Sequence, residues 1–388
     1  MRIGLGFLTS WMIAAVVLAG APAHAQKKAR TPKVLTKTEV APVAQAYAAL
    51  VYKTYDELLG ANQKLLSAAQ KFVAAPTNEN LEATKEAWKA ARLIYSETEA
   101  FRFYGGPIDK ADGAPAERGP EPLMNAWPID EAYLDYVKGN ENAGLIQNPA
   151  RPITEDALID ANEKDGERNI STGYHAIEFL LWGQDLSTTS PGQRPVSDYQ
   201  PTNKFAARRG QVLVTLTGLL VKQSEALKTA WAPSAPQTVA FMAEAPDEIL
   251  RKILVGVTTL SADEMAGERL TVALEKKDPE HEQDCFSDFS LEDMKANQRG
   301  IEKVLVQSGL MDLFQKGRRK ETLGLRRHLD IVSKNIASIP APFDAILVDE
   351  KNPNRKKVET AIASLQKQAR LIDGITQTWG LELNVQAE

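Results

Sequence analysis

Apolar residues recur along this chain mostly at steps of three and four. Val40, Val43, Tyr47, Leu50, Val51, Leu58, Leu65 and Phe72 keep that spacing, which predicts a helix from about Glu39 to Ala75. Pro76-Thr77-Asn78 interrupts it, and Thr77 or Asn78 supplies a cap for a second helix over about Asn80 to Phe103. The same spacing predicts helices near Phe205–Trp231, Ala245–Thr258, Leu291–Ser308, Gly309–Ala337 and Arg355–Thr378. Ser261-Ala262-Asp263-Glu264 matches a capping box, so a new helix is expected to start there. Alternation with a period of two is scarce. The pattern therefore predicts an all-α protein.

The length of 388 residues suits two domains. Ser187 to about Asn203 has linker composition, which divides the chain into helical domains at 39–190 and 191–388. Residues 1–25 read as a signal peptide. Arg2 is the positive end, Ile3 to Ala19 is apolar, and Ala23-His24-Ala25 is a small-x-small cleavage site. Residues 26–38, basic and Pro-containing, read as a flexible leader. No cysteine stands at the cleavage site, so a lipid anchor is not expected. Cys285 is the only cysteine, which excludes an intrachain disulfide. After cleavage no stretch is apolar enough to span a membrane, and the expected location is the periplasm or cell envelope. Loss of Arg2 moves the net charge from −5 to −6, a poor match for nucleic acid or anionic lipid.

The chemistry gathers in three places. Gly173-Tyr174-His175-Ala176-Ile177-Glu178 puts a histidine and a carboxylate on one face of a helix whose Ile177, Leu180 and Leu181 are core residues. A polar pair beside a buried face needs a metal, each other, or an arginine. Trp88, Arg92, Tyr95, Glu99 and Arg102 form one stripe of the second helix, either an ion pair bridging helices or part of a shared polar site. Asp278 to Ser290 is dense in potential ligands, including His281 and Asp288, or else is a solvated acidic loop.

Together these residues resemble the imelysin-like family, and in particular its iron-regulated protein A branch. The resemblance rests on Gly173-x-His175-x-x-Glu178, Trp88 to Phe103 with Gly106-Pro107-Ile108-Asp109, and Trp127-Pro128-Ile129-Asp130. It rests also on Ala266-Gly267-Glu268-Arg269 and on His281-Glu282 to Cys285-Phe286-Ser287-Asp288. It implies two packed helical bundles, a polar site near their junction, an envelope location and an association with iron acquisition.

His175, Glu178, Glu99 and Glu268 are the candidate metal ligands, and Trp88, Arg92, Asp130, Arg269, His281 and Asp288 candidate neighbours. Oxygen donors with one imidazole suit iron, manganese or zinc. Arg92 and Arg269 could neutralise surplus carboxylates or hold an anion or chelate. The leading expectation is an envelope protein, without an assigned catalytic residue, that binds iron or an iron-linked ligand and works with an envelope partner in uptake. The alternatives are a zinc-dependent metallopeptidase using the His-x-x-Glu pair, and a helical interaction module without metal. His-Glu-x-x-His is absent, and the inverted form would need a histidine where Phe179 stands.

Overall fold

The first long helix starts where a capping box allows it. In a computed structural model, which describes residues 32–109 and 119–383, Thr36 accepts the Glu39 N–H, and the Glu39 carboxylate accepts the Thr36 N–H. Helix α1 (Lys37–Ala74) then buries every apolar residue of the spacing pattern named above. Helix α2 (Asn78–Thr98), capped by Thr77, continues into a tight turn, Glu99–Phe101. The other frame helices are α3 (Gly173–Trp182), α4 (Ala206–Ala230), α5 (Pro246–Thr259), α6 (Ser290–Gln307), α7 (Leu310–Ala337) and α8 (Arg355–Thr376). Among the described residues the only extended pairing is a single bridge, Val137 with Asn140, and the fold is all-α. No helix among them is long and apolar enough to cross a membrane.

Two groups of helices meet along α2. Helix α1 packs on α2 and α4, α3 on α2 and α4, and α7 on α8 and α6. Helix α6 also lies against α2. Gly300 makes that approach possible, because a Cβ there would stand 2.3 Å from the Glu97 carbonyl oxygen. The described residues from Pro32 onward cluster as one compact unit, and α4, beyond the expected linker, packs chiefly on α1.

The expected signal peptide, residues 1–25, lies outside the described residues, as do residues 26–31 of the leader. The part of the leader that is described is tied down: the Lys33 N–H donates to the Thr378 carbonyl at 2.9 Å, and Leu35 is buried. Ser261 does not cap a helix. Helix α5 runs without a break into a wide π-helical segment, Leu260–Val272, and the Ser261 hydroxyl instead donates to Leu365 O at 2.9 Å on α8. Glu264 turns toward Arg269 at 3.5 Å rather than back to Ser261. No breaker precedes Ser261, so the capping pattern had no helix end to mark.

Candidate metal centre

Helix α3 is buried along its whole length, so its two ionisable side chains must find partners inside the protein. It begins at Gly173, with φ +88°, and a Cβ there would lie 2.7 Å from Met124 O. Only glycine suits both the left-handed backbone and that contact. Gly173→Ala is expected to cost about 2 kcal/mol or more of stability, read by denaturant unfolding; an unchanged midpoint would show that the Met124 segment yields freely. Helix α2 secures the same turn, since Trp88 Nε1 donates to Tyr174 O at 3.0 Å. The Tyr174 hydroxyl in turn donates to Asn62 Oδ1 at 2.8 Å on α1.

His175 Nδ1 lies 3.3 Å from Glu178 Oε2 and 3.6 Å from Asp284 Oδ1. One donor atom from each of the three side chains falls within 4.8 Å of the others, and all three residues are fully buried. Asp284 arrives on the loop that leads into α6, where its N–H donates to the Ser290 hydroxyl at 2.8 Å. The same loop holds Glu178 from the other side, through the Ser287 N–H (2.9 Å) and hydroxyl (2.6 Å) to Oε1. Glu178 thus keeps Oε1 for the loop and turns Oε2 toward the histidine.

Arg92 closes the group. Its Nε is 3.1 Å from Asp284 Oδ1 and its Nη2 is 2.7 Å from Asp293 Oδ2. Its Nη1 donates to Asn125, and the Ser96 hydroxyl donates to Asp293. The two ion contacts are not aligned hydrogen bonds: both oxygens of Asp284 and Nε2 of His175 have no hydrogen-bond partner. Native interiors rarely leave such atoms unmatched.

Charge explains the strain. Glu99, Glu178, Asp284 and Asp293 are buried acids, against the buried Arg92 and Arg269 with Arg102 at the edge. Burial pushes the Glu178 carboxyl up to about 8 despite the Ser287 donors. Burial raises Asp284 well above the carboxylate range, with Arg92 only partly opposing it. Burial, then Arg92 and Arg269, holds His175 far below its usual value, so the imidazole is neutral and keeps a lone pair for a cation.

A second network adjoins the first. Arg269 grips Glu99 with both terminal nitrogens, at 2.7 and 3.1 Å, and Asn297 Nδ2 donates to Glu99 at 2.7 Å. Asn125 joins the networks, accepting from Arg92 and donating to Glu99 at 3.3 Å. A cleft of about 410 Å³ opens beside them, lined by Asn125, Arg269, Gln283, Glu121, Glu264 and Glu268. It brings solvent to within one residue of Asp284 in sequence and presents a mainly acidic wall.

Comparison with known proteins places this architecture. The imelysin (Peptidase M75) family model matches residues 51–372. The chain belongs to the imelysin family. It is 27% identical over 267 residues to iron-regulated protein A of Synechococcus elongatus, a match covering 66% of this chain and 61% of that relative's length. The fold resembles the crystal structure of an iron-regulated protein A precursor from Parabacteroides distasonis. There the TM-score is 0.70 at 17% identity, over 89% of this chain and 96% of that one. It also resembles an imelysin-like protein from Psychrobacter arcticum, with a TM-score of 0.65 at 14% identity, over 92% and 100% of the two chains. At those identities the likeness concerns the fold.

Within this imelysin fold the residues anticipated from sequence part company. His175 and Glu178 meet Asp284, with Arg92 in contact. Glu99 is taken up by Arg269 and Asn297, and stands in the second network rather than in the histidine group. Glu268 is exposed on the cleft wall. Asp130 caps a short helix, Glu131–Leu134, by accepting the Ala132 N–H at 3.0 Å. Trp88 packs against Tyr174, Trp182 and Phe289 and serves the scaffold. His281 ends a short turn, Pro279–His281, and belongs to neither acid-bearing group found among the described residues. Asp288 stands with a different set of carboxylates, Asp185 and Asp344. Asp284, Asp293 and Ser287 were not singled out by spacing. The density of acids between Asp278 and Ser290 hinted at the loop that carries Asp284 and Ser287, but Asp293 lies beyond it, within α6.

Proposed function

We propose that this imelysin-family chain is an exported, cell-envelope protein that binds iron, or an iron-linked ligand, at His175, Glu178 and Asp284 during uptake. The observation that carries the reading is the convergence of three donors in a dry interior where buried acids outnumber the arginines and hold protons that a cation could replace. The donor set fits a cation: a neutral imidazole and two carboxylates, one of them with no hydrogen bond of its own. A bound cation would supply the positive charge that these acids lack. Residues 1–25 support export, and the printed name of the cyanobacterial relative supports a link to iron. An envelope partner is part of the same proposal.

Zinc-dependent peptide cleavage is the lesser reading. A catalytic zinc keeps an open position for water and substrate, whereas all three donor residues here have no exposed surface.

The test is metal content and affinity of the protein lacking residues 1–25, with iron and zinc offered in turn, beside His175→Ala/Glu178→Ala. Near-stoichiometric binding is expected, weakened on the order of 100-fold or more in the folded double variant. Chelator-sensitive peptide cleavage lost in that variant would favour the peptidase. No binding by the unsubstituted protein, with lost stability in the variant, would leave a helical interaction module whose polar seam only fixes packing.

A further inference from the structure

A second group of acids draws one member from the same loop and the others from two further segments. Asp185 follows α3, Asp288 sits two residues before α6, and Asp344 opens a short helix, Asp344–Val348. One carboxylate oxygen of each lies within 4.8 Å of the others. Asp344 is fully buried, and neither of its oxygens accepts from an N–H or hydroxyl; the carboxyls of Asp185 and Glu282 lie against it. Glu282, 1% exposed, stands against Asp344 closely enough for the two carboxyls to share a proton, with the Ser290 hydroxyl beside it. Among the described residues no lysine, arginine or histidine forms an ion pair with any of the four. The first centre, by contrast, is partly neutralised by Arg92.

We propose that Asp185, Asp288 and Asp344, backed by Glu282, form a second cation site for a hard divalent ion of the calcium class. Four carboxylates with no nitrogen donor are the ligand chemistry of such ions, and calcium accepts irregular oxygen cages. The site has an entrance, because Asp185 and Asp288 are only partly buried. It is also well placed to matter. The loop that gives Glu282 and Asp288 to this group gives Asp284 and Ser287 to the first, so a cation here holds the backbone that positions the other centre.

The experiment is calorimetric titration and thermal unfolding of the full chain with calcium up to millimolar concentration, repeated with magnesium and zinc. Asp344→Asn and Asp288→Asn are the test variants, and His175→Ala, which leaves the Glu178–Ser287 anchor of the loop in place, is the control. Expected are saturable calcium binding with a rise in melting temperature, retained in the control and at least about tenfold weaker in Asp288→Asn and Asp344→Asn. Should Asp344→Asn fail to fold, Asp288→Asn, at a partly buried position, decides alone. Absence of a calcium effect, calcium binding by the aspartate variants as tight as that of the unsubstituted protein, an effect lost in the control, or stabilisation by zinc but not calcium would each overturn the proposal.

Discussion

Glu99→Gln is expected to destabilise the protein by about 3–5 kcal/mol, the usual result of removing one partner from a buried ion pair. The side chain of Glu99 has no exposed surface, and it accepts from Arg269, Asn297 and Asn125 with Arg102 at 3.5 Å. Glutamine keeps the shape but loses the charge. Arg269, 3% exposed, is then left with Asn297 at 2.8 Å and a weak contact to Glu264 at 3.5 Å. The pH dependence identifies the cause. Burial alone would raise the Glu99 carboxyl, but Arg269 overcomes it and holds the value at about 2 against an ordinary 4.5. A folded value below the unfolded one means that the stabilisation is complete above pH 4.5 and is lost as pH falls toward 2. It amounts to roughly 3 kcal/mol. Urea denaturation across that range should show a shallower acid decline in Glu99→Gln. An acid limb identical to that of the unsubstituted protein would sink this account of the pair.

Helix content was the most legible property of this chain, because burial on one face leaves its period in the sequence. The α1 positions from Val40 to Phe72 are buried as their spacing required. Local spacing also brought out His175 and Glu178, since residues three apart on a helix are neighbours whatever the rest of the chain does. Asp284 could not be found that way. It reaches the histidine through the path of a loop, and Asp278, Glu280, Glu282 and Asp288 look equally good in sequence. The stripe on α2 was visible, but not its partners. Arg92 pairs with Asp284 and Asp293, on and just before α6, and Glu99, in the turn after α2, pairs with Arg269 of the π-helical segment, both partners far away in sequence. Ser261-x-x-Glu264 misled for a related reason. A capping motif has meaning only at a helix end, and the continuation from α5 is set by packing on α8.

The position of Arg92 separates a centre built for a cation from one built for an anion. Its guanidinium shares Asp284 with His175, and it lies over the rings of Tyr95 and Tyr174 at 5.5 and 5.6 Å. Arg92→Met retains much of that packing volume and removes the charge. In the metal-free protein Asp284 and Asp293 would lose their arginine, with an expected cost of about 3–5 kcal/mol. A metal ion would then meet no competitor for Asp284. The stabilisation it confers should exceed that in the unsubstituted protein by about 1.4 kcal/mol, the equivalent of tenfold tighter binding. Denaturant unfolding of both proteins, with and without zinc or iron, measures both quantities. If Arg92 instead anchors a carboxylate or an anionic chelate, the variant would lose ligand binding altogether and gain nothing from the metal. That outcome would turn the centre from a site for bare metal into one for an anion or iron chelate held by arginine.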